Sequence, residues 1–531
     1  MIHDHDRRRR FRPSTSPALL LGAAWLAACL AGSAAAWGQV SPRATPAKAQ
    51  SKAAAGASGI VFEIAYPEKG ADDRPISARV YVMLGPQGTN VEPRTGPNWF
   101  HPEPFFARDV KDWRPGDSIR IDAGADGFPA PLSQLEPGAY RAQAVVRLNQ
   151  DTAKIGAGEG NLYGPIVEFT APSKAEAPVR LIVDQIVPPR PFHETERIKL
   201  AERPSPILSA FFGRPIKHQA AVILPKTPPR AGDKLPAVYT ITGFGGDHHS
   251  ASRYLESPGL NYADDMVRIV LNADCGTGHH VFADSANNGP RGRALIEEFI
   301  PYLEANFPLI ADPRARLLNG HSSGGWSSLW LQVTYPDAFG GVWSTSPDPV
   351  DFRDFQRVNI YREGENAYRD PEGARRPVAR MGTKPFLFYD SFCKLEQVLG
   401  HGGQLSSFEA VFSPKALDGQ PRKLWDRKSG VIDPKTAKDW EAYDVRLVLE
   451  RNWPTLKPKL AGKLHVVTGS LDTFYLEGAV KLLKESQEQL GSDADIEIIP
   501  DKDHGNILDA KLAERIGREM KAAVAPLLKD R

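Results

Sequence analysis

From Gly59 to about Pro172 the apolar positions come in short runs, separated by polar segments rich in turn residues. The runs at 60–65 and 78–83 are dense in branched and aromatic side chains. Leu135 to Tyr140 reads as a turn feeding a near-alternating strand over 141–148. Successive side chains of a strand point to opposite faces, so short runs of this kind predict β-strands. No helical periodicity interrupts them, and the region holds no catalytic constellation.

After about residue 176 the grammar changes. Apolar runs at 220–224, 237–241, 267–271, 315–319, 339–344, 463–468 and 496–499 predict strands that alternate with helical patterns. One helix is expected over 293–306, with Leu295, Phe299, Ile300 and Leu303 on one face; another runs from Gly324 or Gly325 toward Thr334; an amphipathic helix closes the chain over 508–528. Alternating strands and helices predict a mostly parallel α/β sheet. Between Ser346 and Gly462 the pattern loosens into charged segments punctuated by Pro and Gly, with one apolar strand over 386–389. That stretch reads as a cap inserted over the C-terminal edge of the sheet, where such folds hold ligands. The expected organisation is an immunoglobulin-like β-sandwich over 59–175 followed by a catalytic α/β domain over 176–531, with its insertion at about 346–462.

The first 58 residues stand apart. Arg7 to Arg10 and Arg12 form a basic start, an alanine-rich apolar stretch runs from Ala18 to Ala36, and a polar Ala/Ser/Pro/Lys segment follows over 37–58. This predicts a secretory signal over 1–36 and a linker, hence a secreted or periplasmic protein. Leu26-Ala27-Ala28-Cys29 has the form of a lipid-attachment site, so a membrane tether at Cys29 is the alternative. Lys and Arg number 66 against 64 Asp and Glu, for a net charge of +2, with no basic run after residue 60; nucleic acid is excluded as a partner. Only Cys275 and Cys393 fall after the leader, and the sequence leaves a disulfide between them open.

The chemistry concentrates at Gly320-His321-Ser322-Ser323-Gly324. A Gly-x-Ser-x-Gly segment between a strand and a helix holds the serine on a sharp, strained turn, where neighbours two residues away must be small. Serine needs a base, and His504, in the loop after the last strand, is preferred over His401 in the insertion and His465 inside a strand. An acid must orient that imidazole; Asp472, after the strand at 463–468, gives the chain order Ser, Asp, His, with Glu477, Asp501 and Asp503 as fallbacks. The oxyanion donors expected are the amide of Ser323 and that of Phe244 or Gly245, in the Thr242-Gly243-Phe244-Gly245-Gly246 loop. His248 and His249 beyond that loop, with His321 and Trp326 around the serine, are candidates for the substrate pocket, although Trp326 reads first as helix packing. The pairs His248/His249 and His279/His280 lack the carboxylate or cysteine pattern of a metal site, so neither metal nor cofactor is expected.

At these residues the sequence resembles the esterase family within the α/β-hydrolases that includes esterase D-like, feruloyl, acetyl-xylan and enterochelin esterases and mycolyltransferases. The resemblance runs from Val222 to Leu528. It rests on the Gly243–Gly246 loop, Gly320 to Gly325, Phe339 to Ser344 with Ser346-Pro347 behind it, the acid segment from Gly469 to Asp472, and Asp503-His504-Gly505. It implies a Ser322, Asp472, His504 triad. Family members commonly place nucleophile and acid closer together, in keeping with an inserted cap here. The expected function is hydrolysis of a small-molecule or polysaccharide-linked carboxylic ester through an acyl-serine; acyl transfer, peptide cleavage and non-catalytic surface binding are the competing readings.

Overall fold

The computed structural model describes residues 59–68, 74–172, 177–230, 232–257 and 259–529. The expected signal, the linker and Cys29 lie outside the described residues.

Two sheets make up the N-terminal part. One contains Ser118–Ile121, Phe62–Ala65 and Val179–Ile182. The other is built on long antiparallel pairings of Ile76–Pro86 with Phe105–Trp113 and with Gly138–Arg147. The strand period of two explains how they pack. Val80, Val82 and Leu84 point into a core shared with Phe62, Ile64 and Leu181 of the smaller sheet. Tyr81 and Met83, the alternate residues, point the other way and pack with Phe105 and Val145 against Leu395, Val398 and Leu399 of the later insertion. A sheet buried on both faces reads as a nearly continuous apolar run, as the stretch 80–84 does. The boundary expected at 175 falls later. Val179–Ile182 runs parallel to Phe62–Ala65, and Gln185–Ile186 pairs with Leu162–Tyr163. Partners that distant leave no mark in local sequence.

The C-terminal part is built on one mostly parallel sheet flanked by helices. Its eight strands lie in the order Ile198–Pro204, Lys217–Ile223, Val267–Leu271, Ala237–Ile241, Arg316–His321, Gly341–Thr345, Leu464–Gly469 and Asp495–Ile499. The first two pairings are antiparallel, and from Val267–Leu271 onward all are parallel. Ala237–Ile241, Val267–Leu271 and Gly341–Thr345 are buried along their whole length, because helices cover both faces of the sheet. Helix Ser323–Thr334 follows the central strand, and Ala510–Lys529 closes the chain.

The insertion has more order than its sequence suggested. Between Gly341–Thr345 and Leu464–Gly469 lie a hairpin, Pro377–Met381 with Lys384–Phe388, and the helices Tyr389–Leu399, Gln404–Phe412, Pro434–Trp440 and Val445–Leu460. Proline hid two of them. Pro434 occupies the first turn behind the Asp433 cap, where its missing N–H costs nothing, and Pro454 and Pro458 lie inside the last helix. Val445–Leu460 packs into the main core through Val445, Leu449 and Trp453, so it belongs to the helical layer of the sheet. The cap over the site is therefore the shorter stretch that precedes it.

Candidate active site

Ser322 sits between the strand Arg316–His321 and the helix Ser323–Thr334 with φ 60° and ψ −127°. Left-handed backbone is costly for a residue with a Cβ and persists only where the surroundings fix it. Two glycines do so here. A Cβ on Gly320 would stand 2.0 Å from the Gly324 carbonyl oxygen, and one on Gly324 would stand 2.0 Å from that of Ile241. The Ser322 amide donates to the Thr345 carbonyl at 3.0 Å, which ties the turn to the next strand.

His504 and Asp472 meet from two separate loops beyond the sheet's C-terminal edge. His504 Nδ1 lies 2.8 Å from Asp472 Oδ2, both side chains are buried, and the Phe474 amide donates to Asp472 Oδ1 at 2.9 Å. Burial opposes charge on both groups, yet each outweighs it for the other: the Asp472 carboxylate lifts the imidazole above its ordinary pKa, and His504 holds the carboxyl below its own. The acid loop is held from the insertion. Arg380 donates to the Asp472 carbonyl at 3.0 Å and pairs with Glu477 at 2.6 Å. Glu477 is thus engaged with arginine, and burial pushes its carboxyl up to about 7.

A cavity of about 130 Å³ opens beside these groups, with Ser322, His321 and His504 in its wall. The His321 and His504 rings lie 4.4 Å apart, and burial drives the His321 pKa down to about 3, so this ring stays neutral beside His504. The glycine loop forms another wall through Gly243, Phe244 and Gly246, whereas Gly245 does not line the cavity. A Cβ on Gly243 would lie 3.3 Å from Ser322 Cβ. The Ser323 amide opens a helix and therefore has no intrahelical acceptor. His279 supports the glycine loop from behind. Its Nδ1 accepts from the Val281 amide at 3.1 Å, which leaves Nε2–H to donate to the Thr242 carbonyl at 2.9 Å.

Other expected pocket residues lie elsewhere. Trp326 is fully buried and stacks on Trp330 at 5.1 Å, inside the core. His248 and His249 pack on Phe192, away from the cavity, behind an Asp247 that is paired with Lys154. His465 stacks on Trp343 within the sheet. Cys275 and Cys393 are free and buried, so the disulfide left open does not form; Cys275 Sγ lies 3.2 Å from Thr277 Oγ1, and Cys393 is enclosed in the main core. Among the described residues, no three His, Cys, Asp or Glu side chains group as metal ligands.

Sequence reasoning missed several wall residues. Asp348 reaches the cavity, accepts from Ser323 Oγ at 2.5 Å and from Gln404 at 3.3 Å, and is pushed up to about 6 by burial. Its only local signal was its place two residues after Ser346. Phe474, two residues beyond Asp472, sets its ring edge against His504 at 4.9 Å. Trp99 and Phe100 come from the N-terminal part, and nothing in their local sequence ties them to a serine more than two hundred positions later.

The sheet order and the glycine-framed serine turn define an α/β-hydrolase. The family model described as "Putative esterase" matches residues 209–504, more than half of the chain. The chain belongs to this family and is a carboxylic ester hydrolase. No curated protein matches it by sequence. Similar solved structures include a ferulic acid esterase, with 14% identity over 62% of this chain and 98% of that one and a TM-score of 0.37. An S-formylglutathione hydrolase from Agrobacterium tumefaciens has 14% identity over 61% and 94%, with a TM-score of 0.36. Est1E from Butyrivibrio proteoclasticus has 15% identity over 58% and 96%, with a TM-score of 0.33.

Proposed function

We propose that the protein is an exported serine esterase in which Ser322 attacks the ester carbonyl while His504 takes its proton. Asp472 holds the imidazole by its Nδ1–H and stabilises the cation formed there. The amides of Ser323 and of the Phe244/Gly245 loop receive the oxyanion. Collapse of the tetrahedral species expels the alcohol with the proton returned by His504. Water, activated by the same ring, then releases the acid from the acyl-serine. No cofactor enters these steps. The domain assignment belongs to the same reading: an immunoglobulin-like sandwich ahead of the hydrolase, export by the leader, and a soluble protein in preference to one tethered at Cys29.

The observation that carries the reading is the buried His504–Asp472 pair, 2.8 Å apart, with His504 lining the same cavity as a serine on strained backbone. The test is release of p-nitrophenol from acetyl, butyryl and octanoyl esters by wild type, Ser322→Ala and His504→Ala. Loss of activity by orders of magnitude in both variants is expected. Equal rates in all three would refute the assignment. Adding an acceptor alcohol and analysing products separates hydrolysis from acyl transfer.

A further inference from the structure

The N-terminal sheets supply part of the cavity wall. Trp99 and Phe100 stand in the segment between Pro93–Thr95 and Phe105–Trp113 and face the catalytic groups. The Trp99 ring lies 4.9 Å from Phe244, in the glycine loop, and 5.2 Å from Phe392 of the insertion. Phe100 stacks on Phe474 at 6.4 Å, and Phe474 touches His504 at 4.9 Å. Two aromatic links therefore connect this segment to the base.

The segment is held by its own turn and, on its N-terminal side, by the sheet. Asn98 Oδ1 accepts from the Phe100 and His101 amides at 2.9 and 3.2 Å, an Asx turn that fixes the loop. The Arg94 amide donates to Gln143 at 3.0 Å, and its guanidinium lies 4.2 Å from the Tyr163 ring centroid, which anchors the loop to the sheet. The sheet is itself docked on the catalytic part. Tyr81 donates to the Leu399 carbonyl at 2.6 Å, Arg147 to that of Gly276 at 2.6 Å, and Thr152 to Asp274 at 2.5 Å. Such contacts, with an apolar core beneath them, suit a fixed wall better than a spacer on a flexible linker.

We propose that Trp99 and Phe100 are specificity-determining residues, and that the N-terminal part thereby selects esters carrying a flat, ring-sized group beside the scissile bond. The size follows from the cavity of about 130 Å³, close to the ~150 Å³ apolar cavity that admits benzene in another protein. The shape follows from ring faces and edges, which favour a planar apolar guest. The inference rests on Ser322 being the attacking group.

The test compares kcat/KM for methyl benzoate and methyl acetate in wild type, Trp99→Ala, Phe100→Ala and Trp99→Phe. Calorimetric binding of methyl benzoate to Ser322→Ala, with and without Trp99→Ala, accompanies it. The benzoate-to-acetate ratio should fall at least tenfold in both alanine variants and recover in Trp99→Phe. Binding to Ser322→Ala should weaken by a similar factor when Trp99 is removed. A merely structural role would lower both substrates together; a ratio within threefold of wild type overturns the proposal, as does absence of both turnover and binding of the aryl ester. Binding that depends on Trp99 without turnover in wild type would support the wall and refute the esterase assignment of Ser322.

Discussion

Asp472→Asn isolates what the carboxylate contributes, since the amide keeps nearly the same shape. In the proposed mechanism His504 becomes a cation as Ser322 attacks, in a buried site 2.8 Å from Asp472 Oδ2. At an effective dielectric constant of ~20, unit charges ~3–4 Å apart attract by about 4–6 kcal/mol. Asparagine removes that attraction and can present its amide nitrogen to Nδ1, which favours the wrong tautomer. At about 1.4 kcal/mol per decade, kcat should fall by roughly a thousandfold or more. The assay is steady-state hydrolysis of p-nitrophenyl acetate across pH, beside thermal unfolding to show that the fold persists. The pH profile carries a second sign. Burial works against the charged ring, but Asp472 raises its pKa overall, so in wild type kcat/KM should fall as pH drops through a value above 6.5. In Asp472→Asn that limb should move to lower pH. A folded variant retaining kcat within tenfold of wild type, with an unmoved limb, would refute the role given to Asp472.

Three further outcomes follow from the same geometry. Gly320→Ala should destabilise the protein by about 3 kcal/mol or more, because its Cβ meets the Gly324 carbonyl oxygen at 2.0 Å and neither strand nor helix can yield; urea unfolding measures it. Asp348 is pushed up to about 6 by burial and also acts on His504, so Asp348→Asn should remove an ionisation near pH 6 from the kcat/KM profile and lower the pKa of the base; an unaltered profile would show that Asp348 is silent in turnover. Cys275 and Cys393 are free and buried, so a thiol reagent should titrate two thiols in a chain beginning at residue 59 after denaturation without reductant, and close to none before it.

The sequence by itself determined whatever is written in a few adjacent residues. Strand 237–241 and strand 267–271 are legible because a buried parallel strand must be apolar along its length. The turn at Ser322 is legible because Gly320 and Gly324 each face a backbone oxygen where no Cβ fits. Ser322, Asp472 and His504, the proposed triad, could be singled out because each stands in the loop that follows a readable strand. Tertiary structure alone decided the rest. The sequence left Trp326 between helix packing and the pocket; the fold puts it in the core against Trp330, because the face a helix residue presents depends on what the helix packs against. Val179–Ile182 fell on the catalytic side of the expected boundary, but its partner is Phe62–Ala65, and pairing across so much intervening chain is set by the assembled sheet. Asp348, Phe474, Trp99 and Phe100 reach one cavity from segments whose local sequence says nothing of each other. Local backbone geometry constrains neighbouring residues, whereas a cavity is defined by the packing of side chains far apart in the chain, and only the folded molecule brings those together.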